Sequence, residues 1–195
     1  TDAELQHTLT QLYNDAEKMR KSVEVKTEIM RMEVLTSGKL KIEENGVKVT
    51  LDYKMPAGNQ KSYNWSTATT AKPLDDLDTI CTAVEDESGV RPTRALTSRK
   101  ILKKICACDS VHGVNSDKVV TTSQLNELLV QCDLPQFVTY DEKYRVEGAK
   151  GYTTKRYFPE NKIALFPDGD LGEGIFGLTA EEVKLIGDGN METAG

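Results

Sequence analysis

Between Asp2 and about residue 35 the chain has no glycine or proline. Leu5, Leu9, Leu12, Ala16, Met19 and Val23 recur there at steps of 4, 3, 4, 3 and 4. That spacing predicts one helix carrying a single apolar stripe. Lys26 interrupts the stripe, and Ile29 and Met32 sit on a shifted one. An unbroken helix of this length spans roughly 50 Å at ~1.5 Å per residue. Thr36-Ser37-Gly38 ends it, with glycine in the capping position. The stripe holds fewer than three clean heptads, which is short for a coiled coil. It packs either against its own domain or, as an arm, against a neighbouring subunit.

The periodicity then switches from helical to alternating. Leu40 and Ile42 alternate with Lys39, Lys41 and Glu43. After Asn45-Gly46, Val47, Val49, Leu51 and Tyr53 alternate with Lys48, Thr50 and Asp52. This predicts a β-hairpin with an Asn-Gly turn. A lone two-stranded hairpin is marginal in water, so its apolar face needs a partner in this chain or in another. Residues 56–72 are polar and turn-rich and read as a loop, with Trp65 anchoring it to the core.

Pro73 suits the first position of a helix whose apolar face is Leu74, Leu77, Ile80, Cys81 and Val84. Asp75, Asp76 and Asp78 fall in its first turns, where the helix dipole favours negative charge, and Gly89 caps its end. Residues 93–97 read as a short strand. Ser98 caps a helix carrying Ile101, Leu102 and Ile105, and Thr121 with Gln124 has capping-box spacing before Leu125, Leu128, Leu129 and Cys132. Strands are expected at 136–146 and 162–166, and a last helix from Thr179 through Glu181, Val183 and Leu185. The order of elements predicts an α+β fold with short helices on a mixed sheet.

Composition narrows the function. With 38% hydrophobic and 29% charged residues, the 195-residue chain has the profile of a folded globular protein. Its 25 Lys and Arg against 31 Asp and Glu give a net charge of −6, which disfavours a nucleic-acid reader. No apolar run approaches the ~18 residues of a membrane helix. No signal-peptide pattern is present, and the start at Thr1 rather than Met reads as a processed or trimmed end. Cys81, Cys106, Cys108 and Cys132 are too sparse and irregular for a disulfide framework, consistent with a reducing cytoplasm.

Candidate chemistry is thin. Cys106-Ala-Cys108 near His112 lacks the second pair that a zinc site requires, so Cys106 is expected to close a helix face and Cys108 to lie in the following loop. His7 is expected on a solvated helical face. Ser110 near His112 lacks the elbow of a nucleophilic serine. Gly172-Glu173-Gly174-Ile175-Phe176-Gly177 matches the dinucleotide pattern G-x-G-x-x-G. It begins six residues after Phe166, carries Asp170 and Glu173, and leaves 18 residues, too few for the rest of a βαβ unit. A glycine-rich turn or bulge is the simpler account, and a nucleotide-binding enzyme the weaker alternative. No catalytic, cofactor or metal residues are assigned.

Three stretches, in order, carry a resemblance. They are LTSGKLKIEENGVKVTLDYKMPAGN at 35–59, KPLDDLDTICTAVEDESGVRPTRALTSRKILKKI at 72–105, and KIALFPDGDLGEGIFGLTAEEVKL at 162–185. Over about residues 20–187 the chain resembles the lambda-like major capsid proteins of tailed phages, the capsid E family. The resemblance implies the tailed-phage and herpesvirus capsid fold: an N-terminal helical arm at 1–35, an extended hairpin loop at 36–56, a peripheral domain with a spine helix at 57–90, and an axial domain at 91–195. Family members continue past the position of Gly195 into strands that complete the peripheral domain.

The implied role is a non-enzymatic head subunit. It would self-assemble in the host bacterial cytoplasm into hexamers and pentamers of an icosahedral shell around double-stranded DNA, which is held only as non-specific cargo. Scaffold, portal or decoration proteins are the further partners implied, and the virion capsid is its final location. Leu40, Ile42, Val47, Val49, Leu51 and Tyr53 would be the hairpin's contacts with a neighbour. Gly38, Gly46, Gly89, Gly172 and Gly177 would be the turn glycines. An encapsulin-like shell protein is an alternative on the same fold.

Overall fold

The computed structural model describes residues 2–44, 46–112, 120–149, 151–175, 177–178 and 180–187. A single long helix, α1 (Asp2–Ser37), leads into an antiparallel hairpin, β1 (Lys39–Glu44) and β2 (Val47–Asp52). A loop with one 3₁₀ turn at Ala57–Asn59 follows, then α2 (Pro73–Ser88). The remaining elements are β3 (Arg94–Thr97), α3 (Arg99–Cys106), α4 (Asp109–His112), α5 (Thr122–Gln131), β4 (Gln136–Thr139), β5 (Lys143–Gly148), β6 (Gly151–Arg156), β7 (Ile163–Phe166) and α6 (Ala180–Gly187).

Local chemistry sets several boundaries as expected. Pro73 opens α2, and Gly89 closes it at φ 74° with its N–H donating to the Glu85 carbonyl. The Ser98 hydroxyl caps α3 by accepting from the Ile101 N–H. Thr121 and Gln124 form a complete capping box on α5. The last helix begins at Ala180, and the expected start, Thr179, lies outside the described residues.

The body is built on a three-stranded mixed sheet in the order β4-β3-β7, with β3 parallel to β4 and antiparallel to β7. Its core contains Leu77, Ala95, Leu102, Ile105, Val111, Leu125, Leu129 and Phe137, all buried. Trp65 packs against this core and donates its indole N–H to Asp76 at 2.7 Å, so the polar loop is anchored as expected. Cys108 lies in the turn after α3 but is buried in the core, because its thiol donates to the Lys104 carbonyl and the turn folds inward.

One strand expectation is corrected. Residues 136–146 are not a single strand. The chain leaves the sheet after Thr139, and β5 instead pairs with β6 as a separate antiparallel ribbon. Tertiary contacts at the break explain it. Tyr140 donates its hydroxyl to Glu28 on α1 at 2.9 Å, and Asp141 accepts from Arg156 at 2.6 Å. The first contact draws the chain towards α1, and the second ties the start of the ribbon to β6.

Candidate assembly surfaces

The hairpin leaves the body through a tightly specified hinge. Gly38 has φ 65°, and its N–H donates to the Val34 carbonyl at 2.7 Å. A Cβ added at Gly38 would sit 2.8 Å from the Met55 Cβ, so both backbone conformation and space demand glycine. The Tyr53 N–H then donates to the Gly38 carbonyl at 2.9 Å, closing the root of the ribbon. At the tip Gly46 has φ 80°, as an Asn-Gly turn requires, while Asn45 lies outside the described residues.

Pairing register sorts the hairpin's two faces. Lys39 opposes Asp52 and Glu43 opposes Lys48, and both pairs form ion pairs across the strands. The Lys54 backbone N–H and the Lys39 ammonium hold the Asp52 carboxyl below its usual range. The opposite face carries Leu40 with Leu51, and Ile42 with Val49. Leu40 is only 6% exposed, because its end of β1 packs beside α1. It is therefore covered within its own chain, unlike the other residues expected at a subunit contact. Val47, Val49, Leu51 and Tyr53 are 56%, 42%, 47% and 61% exposed, and Ile42 is half-buried.

A second uncovered surface lies on α1. From Val25 onwards the helix is largely half-buried, and Lys162 donates to the Thr36 carbonyl at 2.7 Å. The described side chains before Val25 are exposed, including Leu5, Leu9, Leu12, Met19 and Val23. The apolar stripe therefore does not pack against its own domain. At ~1.5 Å per residue the free part is roughly 30 Å long.

A cavity of about 450 Å³ separates the apolar face of α2 (Leu77, Ile80, Val84) from β7 and is closed on other sides by Leu35, Met55 and Trp65. Among the described residues no group of three His, Cys, Asp or Glu side chains could hold a metal. Burial pushes the Cys81 thiol up to about 11 and also raises Cys106 and Cys108, so none of these three is an activated thiol. His7 is on an exposed helical face beside Gln11, as expected.

Gly172 and Gly177 are not left-handed turn glycines, and nothing lies within 4 Å of a Cβ placed on either. The chain reverses earlier, at Gly169 with φ 92°. Arg94 causes this. Its guanidinium donates to the Pro167 carbonyl at 2.6 Å and the Gly169 carbonyl at 2.5 Å while lying over the Phe166 ring. Beyond it the chain runs past Arg31 of α1 with Leu171, Ile175 and Leu178 exposed. Phe176 lies outside the described residues.

A chain with a projecting hairpin and an uncovered helical arm is organised around surfaces rather than a cleft. The model of the family described as phage major capsid protein E matches residues 1–187. The chain belongs to that family. A structure assigned as the capsid protein of a prophage (E. coli CFT073) is 17% identical, with a TM-score of 0.53, and the match covers 77% of this chain and 47% of that one. The chain thus spans about half the length of that relative, and the likeness establishes a shared mixed helix-and-sheet fold. A phage-related protein of Bordetella bronchiseptica RB50 is 19% identical with a TM-score of 0.42, covering 54% of this chain and 33% of that one. No curated protein matches the chain. Membership of the capsid family implies a structural role, and no helix among the described residues is long and apolar enough to cross a membrane.

Proposed function

We propose that this member of the capsid family is the shell-forming subunit of a tailed-phage or prophage head. It self-associates into hexamers and pentamers of an icosahedral shell that encloses double-stranded DNA. The single observation behind this reading is the hairpin face of Ile42, Val47, Val49, Leu51 and Tyr53, which a member of this family leaves largely uncovered. Burying such a face against a neighbour contributes at ~25 cal/mol per Å² before ordering costs.

In this reading residues 1–35 are an arm and 36–56 the extended loop. Residues 57–90 carry the spine helix of the peripheral domain, and 91–195 form the axial domain. Gly38, Gly46 and Gly89 set the directions of arm, loop and spine. The net charge of −6 suits an inner surface that holds packaged DNA without gripping it. Scaffold, portal and decoration proteins are the partners expected, with assembly in the host bacterial cytoplasm and the virion as the destination. Electron microscopy of the full-length protein tests the proposal. Regular particles or capsomers are expected, and a protein that stays strictly monomeric under all assembly conditions would overturn it.

A further inference from the structure

We propose that the free end of α1 pairs with the same segment of a second copy as a short parallel coiled coil. This goes beyond the shell reading and does not depend on it. The stripe places Leu9, Ala16 and Val23 at the first core position of each heptad and Leu5, Leu12 and Met19 at the second. Leucine-rich second positions suit two-stranded parallel coils. The structure supplies what the spacing alone lacked: the helix is continuous through this stretch, and its five large stripe side chains are 44–68% exposed.

Charge selects the partner and its orientation. Asp15 and Arg20 flank the stripe on opposite sides, five residues apart. In a parallel, in-register pair each Asp15 faces the Arg20 of the other helix, twice over by symmetry. In the antiparallel alternative that pairs Leu12 with Ala16, the two Asp15 carboxylates face each other. Among the described residues Asp15 pairs with Lys18 and Arg20 with Glu24, at sites where all four side chains are more than half exposed. Both are free to turn towards a second helix. Fewer than three heptads make a weak pair, so the contact is reversible and concentration-dependent.

Disulfide trapping in the whole chain tests this, with Cys132, the exposed thiol, replaced by serine. L12C, in the seam, should form a disulfide-linked dimer several-fold more than N14C, on the opposite side of the helix. In sedimentation equilibrium D15R should weaken self-association several-fold, and the D15R/R20D double variant should restore it. All these positions are exposed, so melting temperatures should not change. Equal trapping at 12 and 14, or no recovery in the charge-swapped variant, would overturn the proposal.

Discussion

Among the described residues two antiparallel ribbons lie outside the main sheet, and they present different surfaces. The β5–β6 ribbon turns back towards its own chain. Val25 and Ile29 of α1 lie opposite Tyr144 and Val146, Tyr144 and Tyr157 pack with ring centres 4.8 Å apart, and the Tyr140–Glu28 and Asp141–Arg156 contacts hold the ribbon's base. The β1–β2 ribbon is tied down near its root by Gly38, Met55, the buried Leu40 and the Lys41 N–H, which donates to Glu33 of α1, while its outer apolar face stays open. Length and pairing are alike, with six residues per strand in both. Both are held near their bases and exposed beyond them. What separates them is what they expose, mainly charged and polar side chains on β5–β6 and the apolar run of Val47, Val49, Leu51 and Tyr53 on β1–β2, so the latter is the ribbon suited to association.

Several substitutions would break or sharpen this contrast. The largest effect is expected from Ile42→Ser, Val49→Ser and Leu51→Ser together. Particle formation by the full-length protein should be lost while the subunit's melting temperature changes little. A large drop in melting temperature with normal particles would mean that this face is internal. Leu40→Ala should behave in the opposite way, costing about 2–3 kcal/mol of subunit stability in urea titration, as for a buried leucine. Gly38→Ala should cost about 1–3 kcal/mol through the left-handed backbone and the clash with Met55, and should disturb the hairpin's direction in small-angle scattering.

On the other ribbon, Tyr140→Phe should cost about 1 kcal/mol, the usual value of one hydrogen bond, without affecting assembly. The smallest effect is one of pH. The Arg156 guanidinium holds the Asp141 carboxyl below its ordinary value, with the Arg99 backbone N–H assisting. A carboxylate lowered on folding stabilises the native state above its unfolded value, ~3.9, and that contribution disappears as pH falls through the lower folded value. Urea midpoints should therefore decline as pH falls below about 4, and less so in Arg156→Gln.

Much of the architecture was readable from local chemistry. The alternating residues at 40–53, the proline at 73, the glycine at 89 and the caps at Ser98 and Thr121 each act within a few residues, so short windows carried them. The break between β4 and β5 was not readable. Asp141-Glu142-Lys143 is only a weak local break between strand-forming neighbours, and the contacts that fix the change of direction come from Glu28, over a hundred positions away, and from Arg156. The left-handed glycine after β7, Gly169, was not singled out from the sequence for a similar reason. Arg94 draws the reversal back to Gly169, and nothing near Gly172 reports an arginine on a distant strand.

Periodicity and capping are consequences of neighbours along the backbone, and they alone were enough to specify a long helix, a hairpin and a mixed α+β body. Which apolar faces are covered is a matter of what the folded chain brings against them. Leu40 and Leu51 occupy opposed positions on the same face of one hairpin, yet one is sealed by the chain and the other is left in water. That difference arises from the placement of α1 beside β1, which no short stretch of residues encodes.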